Sequence, residues 1–426
     1  MDEERSVVVC GAGLAGLVTA RRLAAAGADV TVYEEREHVG GRVRSRTHDG
    51  FTLDRGFQVL FTAYPAARRE LDFDALDLRT FTPGAVIARA GERSVLSDPL
   101  RDPTAAFESL FNREVTTSDK LRTLALRQDL GTRSLDELFT GPDTTIREYL
   151  SDWGFSAKFA ENFVAPFYGG ITLDRSLSTS KRVFEYTFRM LGDGSTAVPA
   201  DGMGAIADQL AAKARAAGAD VRTGATVEAV DGDGDGATVH ADGETVDVDA
   251  VVVATDPRTA GELTAVASIP TAARPSTTQY YRLPGGTSLG TKKRILLNAA
   301  SASPNAVVPL SEVAPEYAPA DAELLNATFL GEEPLSMDDD ALAAETQAAL
   351  ESWYPERQFG GLEPLATDRI EFAQFDQPPG IHDTLPDARA PDGRVYLAGD
   401  YTQWSAIQGA LESGRVAAQA VQADLA

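Results

Sequence analysis

The sequence predicts an α/β fold in which a domain built on a parallel sheet is interleaved with a second, α+β domain. The chain starts with a strand–helix–strand unit, "RSVVVCGAGLAGLVTARRLAAAGADVTVYEE". It returns to alternating helices and strands around residues 195–260, and it ends on an apolar strand and a helix, "VYLAGDYTQWSAIQGALESGRVAAQA". Because helical and strand-rich stretches separate these three segments, the sheet-bearing domain should be discontinuous in sequence.

The N-terminal unit carries the pattern G-x-G-x-x-G at Gly11, Gly13 and Gly16, directly after an apolar run typical of a buried parallel strand. Gly11 makes a tight turn, Gly13 lets the backbone approach a pyrophosphate, and Gly16 permits close packing of helix on strand. The start of the helix presents N–H groups and a partial positive charge to phosphates. The unit therefore predicts a Rossmann-like dinucleotide-binding site. Its remaining members are Ala12, Leu14 and Ala15.

The second strand ends at Glu34, where a carboxylate can accept hydrogen bonds from both hydroxyls of an adenosine ribose. An acid at this place favours a free 2′-hydroxyl and disfavours the phosphate of NADP. The next residues, "EEREHVGGRVRS", add Gly40 and Gly41, which free the backbone for a second close approach. Arg42 can then set a positive charge beside a diphosphate. This second glycine pair favours FAD over NAD.

The stretch from Glu34 to Arg42 resembles the FAD-binding segment of the flavin-containing amine oxidase and phytoene desaturase superfamily. The resemblance implies a glutathione-reductase-type FAD-binding domain, in which Glu35 and Arg36 also contact the cofactor. It further implies that the backbone of Val227 hydrogen-bonds the adenine.

The segment "FTLDRGFQV" is similar to the flavin-facing segment of the same superfamily. The resemblance implies that Gly56, Phe57 and Gln58 run along the isoalloxazine ring.

The C-terminal strand ends in Gly399 and Asp400, which places a carboxylate where ribityl hydroxyls or phosphate-bound water can be held. A helix beginning near Ile407 would aim backbone N–H groups at N1 and O2 of the flavin and raise its reduction potential. Gly409 and Ala410 allow the close approach. The passage resembles the C-terminal motif of plant-type phytoene and ζ-carotene desaturases. We therefore expect both ends of the chain to bind one flavin.

These motifs divide the chain into two predicted domains. The FAD-binding domain comprises residues 1–61, 195–260 and 383–426, and the substrate domain comprises residues 62–194 and 261–382. Residues 62–190 are expected to be predominantly helical, with "AYPAARRELD", "DPTAAFESLF" and "SDKLRTLALRQDL" as amphipathic pieces. The strands predicted for the later part are "TTQYYRL", "RILLNA", "LLNATFL" and "RIEFAQF", interrupted by a helix at "MDDDALAAETQAALESWYP".

Flavin chemistry requires a substrate held face-on to N5, and it requires no acid–base pair from the protein. The leading interpretation is an FAD-dependent oxidoreductase that desaturates or oxidises an apolar isoprenoid or polyene by hydride transfer to N5. No catalytic residue is assigned; the flavin-facing candidates are Phe57, Gln58, Tyr401 and Trp404.

Two alternatives stay open: an amine or protoporphyrinogen-type oxidase using O₂, and a redox-neutral flavin isomerase. Amine oxidation is disfavoured by two departures from the family pattern. Ala406 stands where an aromatic-cage tyrosine is expected, and the strand "TTQYYRL" carries Gln279 and no lysine. The electron acceptor is undetermined among a quinone, O₂ and a redox protein.

The amino-acid composition restricts the kinds of binding partner that the protein can have. The chain of 426 residues has 64 acidic and 39 basic residues and a net charge of -25, which repels nucleic acid and suits a high-salt interior. The single cysteine, Cys10, and four scattered histidines predict neither a disulfide nor a metal site. Without a signal peptide or a long apolar run, we expect a cytoplasmic protein, with peripheral contact at the inner face of the membrane as an open alternative.

Overall fold

A computed structural model describes residues 5–97, 116–301 and 303–426. Its strands, in chain order, are β1 (Ser6–Cys10), β2 (Asp29–Glu34), β3 (Ser45–His48), β4 (Phe51–Asp54), β5 (Leu60–Phe61), β6 (Leu78–Thr80), β7 (Ala85–Arg89), β8 (Glu92–Leu96), β9 (Thr196–Pro199), β10 (Asp220–Thr223), β11 (Val227–Gly232), β12 (Ala237–Ala241), β13 (Glu244–Val248), β14 (Ala250–Val253), β15 (Ala273–Pro284), β16 (Ile295–Asn298), β17 (Ala306–Pro309), β18 (Ala322–Leu330), β19 (Glu363–Phe375) and β20 (Val395–Leu397).

The α-helices are α1 (Leu14–Ala25), α2 (Pro65–Glu70), α3 (Thr117–Thr132), α4 (Ile146–Asp152), α5 (Ala157–Phe159), α6 (Ala165–Thr172), α7 (Lys181–Asp193), α8 (Gly204–Ala216), α9 (Pro257–Thr264), α10 (Leu310–Val313), α11 (Glu333–Ser336), α12 (Asp339–Trp353) and α13 (Ile407–Leu425). A π-helical turn, Ala160–Val164, joins α5 to α6, and 3₁₀ turns cover Asp136–Phe139, Pro315–Tyr317, Ile381–Asp383 and Asp400–Thr402.

A five-stranded parallel sheet has the order β10-β2-β1-β14-β20. The central strands β1 and β14 are apolar and buried, as expected for strands covered on both faces. Helices α1, α8 and α13 pack on one face, and the antiparallel meander β11–β13 covers the other. The protein therefore has a mixed α/β fold, and its parallel sheet draws strands from three distant segments of the chain.

The first and last helices pack directly against each other. Their contact is close because a Cβ at Gly414 of α13 would lie 2.4 Å from the carbonyl oxygen of Ala15 in α1. The hydroxyl of Thr19 donates to the carbonyl of Gly414 at 3.1 Å. The small residues of the C-terminal helix thus bring the two ends of the chain together.

A seven-stranded sheet has the order β19-β15-β18-β17-β16-β7-β8 and is antiparallel except for the pair β16–β7. One face packs against α12, and the strands and helix predicted for the later part of the chain are confirmed. The helical expectation for residues 62–190 was wrong at β6, β7 and β8. The apolar run of β7, a turn at Gly91, where φ is 68°, and strand β8 form a hairpin that extends this sheet.

The expected helix pieces outside that hairpin have different outcomes. "AYPAARRELD" contains α2 and "SDKLRTLALRQDL" lies in α3, whereas "DPTAAFESLF" falls outside the described residues. Within the described ranges, no helix combines the length and apolar character that crossing a bilayer requires.

Candidate functional site

A cavity of about 1120 Å³ lies between the carboxyl edge of the parallel sheet, the seven-stranded sheet and helices α3, α5, α6 and α7. Its wall combines residues from distant parts of the chain. Gly13 comes from the first turn, Val227 from the middle, and Gly399 and Asp400 from the C-terminal strand. The two ends of the polypeptide therefore line one cavity.

The N-terminus of α1 opens into this cavity. Gly13 is its N-cap and no side chain caps the helix, so its first N–H groups lack a side-chain partner. A Cβ at Gly13 would meet nothing within 4 Å, while one at Gly41 would lie 3.7 Å from the Cα of Gly13. This bare cradle of backbone suits a phosphate group.

Glu34 lies at the end of β2 on the cavity wall and is 4% exposed. One carboxylate oxygen accepts the Ala12 N–H at 2.8 Å, and the other accepts the Arg36 N–H at 3.1 Å. These two hydrogen bonds fix the orientation of the carboxylate. Each oxygen retains a lone pair that can accept a ribose hydroxyl.

Arg42 and Asp400 line the cavity as an ion pair, with Nη2 2.6 Å from Oδ1. The guanidinium also donates to the carbonyl of Ala373 at 3.1 Å, and the other Asp400 oxygen accepts the Ser405 hydroxyl at 2.9 Å. Asp400 partly neutralises the Arg42 charge, and the guanidinium keeps further N–H donors on the cavity wall. The expectation that Arg42 lies beside a diphosphate stays a prediction.

Arg55 is a cavity-lining cation that the sequence reasoning missed. Its Nη1 lies 3.4 Å from the carbonyl oxygen of Gly41, beside the α1 cradle, and no carboxylate of the described residues lies within 4 Å of it. Burial lowers the pKa of Arg55, and repulsion from Arg44 and Arg36 lowers it further. The available signal was a basic residue directly before the Gly56 turn.

The N-terminus of α13 is a second uncapped helix start on the cavity wall. Its N-cap is Ala406, which makes no side-chain capping bond, and Ile407 and Ala410 also line the cavity. A Cβ at Gly409 would lie 2.0 Å from the carbonyl oxygen of Trp404, so glycine is needed for the chain to turn into the helix. Gly409 itself does not line the cavity; it packs against the Trp404 backbone behind this wall.

The predicted flavin-facing segment borders the cavity, and its side chains hold the loop in place. The Gln58 amide donates to the carbonyls of Arg42 and Arg55 at 2.8 and 3.1 Å. The Phe57 N–H donates to the Thr278 hydroxyl at 3.3 Å. Gly56 has φ 74°, a conformation that favours glycine.

Other predicted cofactor-binding residues divide into two groups. Gly11, Leu14, Ala15, Glu35, Arg36 and Gly40 line the cavity. Ala12 and Gly16 do not: Ala12 is buried behind Glu34, and a Cβ at Gly16 would lie 2.0 Å from the carbonyl oxygen of Gly11. Gly16 therefore serves helix–strand packing.

The two aromatic candidates in the C-terminal loop differ. Trp404 lines the cavity and packs against Tyr186 at 4.9 Å between ring centroids. Tyr401 is fully buried away from the cavity, and its hydroxyl bonds to the carbonyls of Val253 and Ala398 at 3.3 and 3.2 Å. The flavin-facing role expected for Tyr401 is therefore wrong, because the ring turns back onto Gly399 and the sheet.

Four phenylalanines form a continuous ladder along the cavity wall. Phe155, Phe159, Phe163 and Phe167 follow one another with ring centroids 5.0, 5.6 and 5.4 Å apart. Their spacing of four residues places them on one side of the segment that runs through α5, the π turn and α6. The sequence analysis assigned no role to these residues, although their four-residue spacing was a visible signal.

Charge is unevenly distributed over the cavity wall. The lining carboxylates, which are Glu34, Glu35, Asp256, Glu371 and Asp400, belong to the parallel sheet's carboxyl edge and to β19 beside it. Lys120 and Arg127 line the opposite region on α3. In the described residues, the phenylalanine ladder has no acidic neighbour on the cavity wall.

Comparison with known proteins identifies the family. A family model described as flavin-containing amine oxidoreductase matches residues 14–422. The putrescine oxidase of Kocuria rosea is 58% identical over 55 residues, which cover 13% of this chain and 12% of that protein. The 4,4′-diapophytoene desaturase of Staphylococcus haemolyticus is 52% identical over 50 residues, which cover 12% of this chain and 10% of that protein.

Both alignments to curated relatives therefore span only about a tenth of the relative's length. Structural similarity extends further. An oxidoreductase from Methanosarcina mazei superposes with a TM-score of 0.75 over 98% of this chain and all of that one, at 17% sequence identity. At this identity, the likeness establishes the fold alone.

Proposed function

The chain belongs to the flavin-containing amine oxidoreductase family and uses FAD, and on this premise we propose that it oxidises an extended apolar substrate held in the cavity. The reaction class is desaturation or oxidation of an isoprenoid or polyene. The phenylalanine ladder is the observation that carries this proposal, because it offers a long aromatic surface without nearby carboxylates.

We propose further that the parallel sheet belongs to a Rossmann-like FAD-binding domain of the glutathione-reductase type, comprising residues 1–61, 195–260 and 383–426. The bare cradle at Gly13 fits the diphosphate, and Glu34 fits the adenosine ribose. The uncapped start of α13 fits the pyrimidine side of the ring. Val227 lines the same cavity and fits the adenine end.

When bound, the flavin supplies the acceptor for the hydride that leaves the substrate. The contribution of the protein is to orient the substrate and exclude water. Phe57 and Trp404 line the cavity at the predicted ring site, and the phenylalanine ladder lines the same cavity. This arrangement supports a substrate that is held by shape and dispersion contacts.

A cationic diamine fits this wall poorly, because the described part of the ladder region has no carboxylate to pair with an ammonium group. The close sequence identity to a putrescine oxidase is confined to a short stretch, and the likeness to a putrescine oxidase structure over 99% of the chain, at 20% identity, is one of fold and does not carry over a substrate. Desaturation of an apolar chain is therefore preferred to amine oxidation.

The test is anaerobic reduction of the bound flavin by candidate substrates. The readout is the loss of the visible absorbance of the flavin. We expect a C40 or C30 polyene precursor such as phytoene, supplied in detergent micelles, to bleach the flavin, and putrescine to leave it oxidised. Rapid bleaching by putrescine and none by polyenes would overturn the proposal. A product of unchanged mass would instead indicate a redox-neutral isomerase.

A second candidate is oxidation of an anionic tetrapyrrole of the protoporphyrinogen type. Lys120 and Arg127 favour this candidate. These cations line the region of the cavity formed by α3, opposite the carboxyl edge of the parallel sheet, where substrate carboxylates could approach them. Production of peroxide with such a substrate in air would support this candidate. The electron acceptor of the preferred reaction is proposed to be a quinone, O₂ or a redox protein.

Peripheral membrane contact is also a proposal. Leu121 and Leu124 of α3 are 64% and 48% exposed, and Leu124 lines the cavity as well. An apolar substrate dissolved in a bilayer could enter beside this helix. Co-sedimentation with vesicles of anionic lipid, compared between the wild type and Leu121→Ser, would test the contact.

A further inference from the structure

We propose that Gln377 is a positioning residue for the flavin ring. Gln377 does not line the cavity, but it fixes the loop of residues 404–406, which lines the cavity at the predicted ring site. This inference rests on the proposed function, which places the ring at the start of α13. It adds a residue that touches neither cofactor nor substrate and still determines how firmly the ring is held.

The side chain of Gln377 contacts this loop directly. Its oxygen accepts the N–H of Ser405 at 3.0 Å, and the residue is only 3% exposed. The Ser405 hydroxyl donates to Asp400 at 2.9 Å, and Asp400 pairs with Arg42. Ser405 is therefore fixed through its backbone by Gln377 and through its side chain by Asp400. Because the next residue, Ala406, is the N-cap of α13, these bonds hold the chain immediately before the helix start that faces the ring site.

Gln377 can hold the loop because its own backbone is anchored. Its carbonyl accepts the N–H of Ser180, the N-cap of α7, at 2.8 Å. The Ser180 hydroxyl donates to the buried carboxylate of Asp143 at 2.7 Å, and the same carboxylate accepts the N–H of Gly380 at 2.9 Å. The segment of residues 377–380 is thus tied to the helical part of the protein at both of its ends.

His382 supports the same loop by a second route. Its Nε2 lies 3.4 Å from the side-chain oxygen of Gln377, and its ring packs edge-on against Phe139 at 5.2 Å between centroids. Phe139 in turn packs on Trp404, with 6.0 Å between the ring centroids. The loop is therefore held by one hydrogen bond and by aromatic packing, both from residues that do not line the cavity.

Loss of the Gln377 oxygen would leave the buried N–H of Ser405 without its partner, which is unfavourable in the ordered loop. A smaller fraction of the protein would then have the loop in the conformation that completes the ring site. The apparent affinity of a ligand falls with the fraction of the protein that is competent to bind it. FAD should therefore bind more weakly, whereas ADP, which carries the adenosine and the diphosphate but no ring, should not respond.

The test replaces Gln377 by Met, an unbranched side chain that adapts to the space but has no carbonyl oxygen. FAD and ADP are titrated separately into the full FAD-free chain. We expect Gln377→Met to weaken binding of FAD about tenfold and binding of ADP less than about twofold. In the FAD-loaded variant the reduction potential of the flavin should also fall, because a displaced α13 start stabilises the reduced ring less.

Gln279→Met is the matched control. Gln279 lies on β15, is fully buried, and accepts the Tyr281 hydroxyl at 2.6 Å through its side-chain oxygen, but it does not line the cavity. It should leave FAD affinity and the reduction potential unchanged even where it lowers the thermal midpoint of the protein.

Equal weakening of FAD and ADP by Gln377→Met would show a general structural role and overturn the proposal. Unchanged FAD affinity and an unchanged potential would overturn it as well, while leaving the ring site in place. If the wild type bound FAD no more tightly than ADP, the placement of the ring itself would be wrong, and this inference would fail with it.

Discussion

Arg42 and Asp400, which are 358 positions apart in the chain, form an ion pair of 2.6 Å on the wall of the cavity. The same guanidinium donates to the carbonyl of Ala373 in β19. One arginine therefore connects the loop after β2, the 3₁₀ turn after β20 and strand β19 of the seven-stranded sheet. The cavity can take its shape only when all three are in place.

Replacing Asp400 by Asn should destabilise the protein by about 2 kcal/mol, because it leaves the Arg42 guanidinium largely buried without its counter-charge. The measurement is urea unfolding of the FAD-free protein. Asp220→Asn is the control, since the Arg222–Asp220 pair is an exposed contact within β10 and should contribute less than about 0.5 kcal/mol. Equal costs for the two variants would contradict the structural role of the Arg42 pair.

Gly13→Ala should weaken FAD binding without lowering the stability of the FAD-free protein. Gly13 has φ -72° and open space where a Cβ would lie, so alanine fits the protein without strain. The added methyl would occupy the phosphate cradle and weaken FAD binding about tenfold, or 1.4 kcal/mol. The thermal midpoint of the FAD-free protein and an FAD titration by fluorescence measure the two effects.

Gly16→Ala is the counterpart, because its Cβ would lie 2.0 Å from the carbonyl oxygen of Gly11 and must displace backbone. We expect it to cost about 1–3 kcal/mol of stability even without FAD. If Gly13→Ala lowered the midpoint as much as Gly16→Ala, the cradle would be a packing contact and not a phosphate site.

Arg55→Gln should weaken binding of ADP about tenfold and leave binding of adenosine unchanged, because only the former carries the phosphates that this cation faces. The loss should shrink as salt is raised, since the cation is partly exposed and screened. Competition with FAD on the apoprotein provides the measurement. Arg46→Gln is the control, because Arg46 pairs with Asp368 and does not line the cavity. Equal weakening of ADP and adenosine would indicate a steric role for Arg55.

The parallel sheet could be predicted because its determinants are local. Apolar runs end at glycines, and Gly13 and Glu34 stand at the spacing that a dinucleotide requires. The helical wall of the cavity was harder to predict. The four-residue spacing of Phe155, Phe159, Phe163 and Phe167 is visible in the sequence, but the folded structure is needed to show that these rings line one cavity. Tyr401 was misplaced because sequence does not reveal which way a turn directs its side chain.

Acid should destabilise the protein through His382, a residue in the turn Ile381–Asp383. Its Nδ1 is buried without a partner, and its ring packs on Phe139 at 5.2 Å between centroids. Burial lowers its pKa to about 4, while nearby Asp143 and Asp383 oppose and Arg182 adds to that shift.

The pKa of His382 is thus lower in the folded protein than the ordinary value of 6.5, so the unfolded chain binds a proton first as the pH falls. Stability contributed by neutral His382 is present above the unfolded pKa of 6.5 and is lost progressively toward pH 4, by about 1.5 kcal/mol between pH 6.5 and 5. Urea unfolding at these two pH values should show a smaller acid loss for His382→Gln than for the wild type. His48→Gln, at an exposed position, should retain the wild-type loss. An unchanged pH dependence in His382→Gln would show that other groups cause the acid sensitivity.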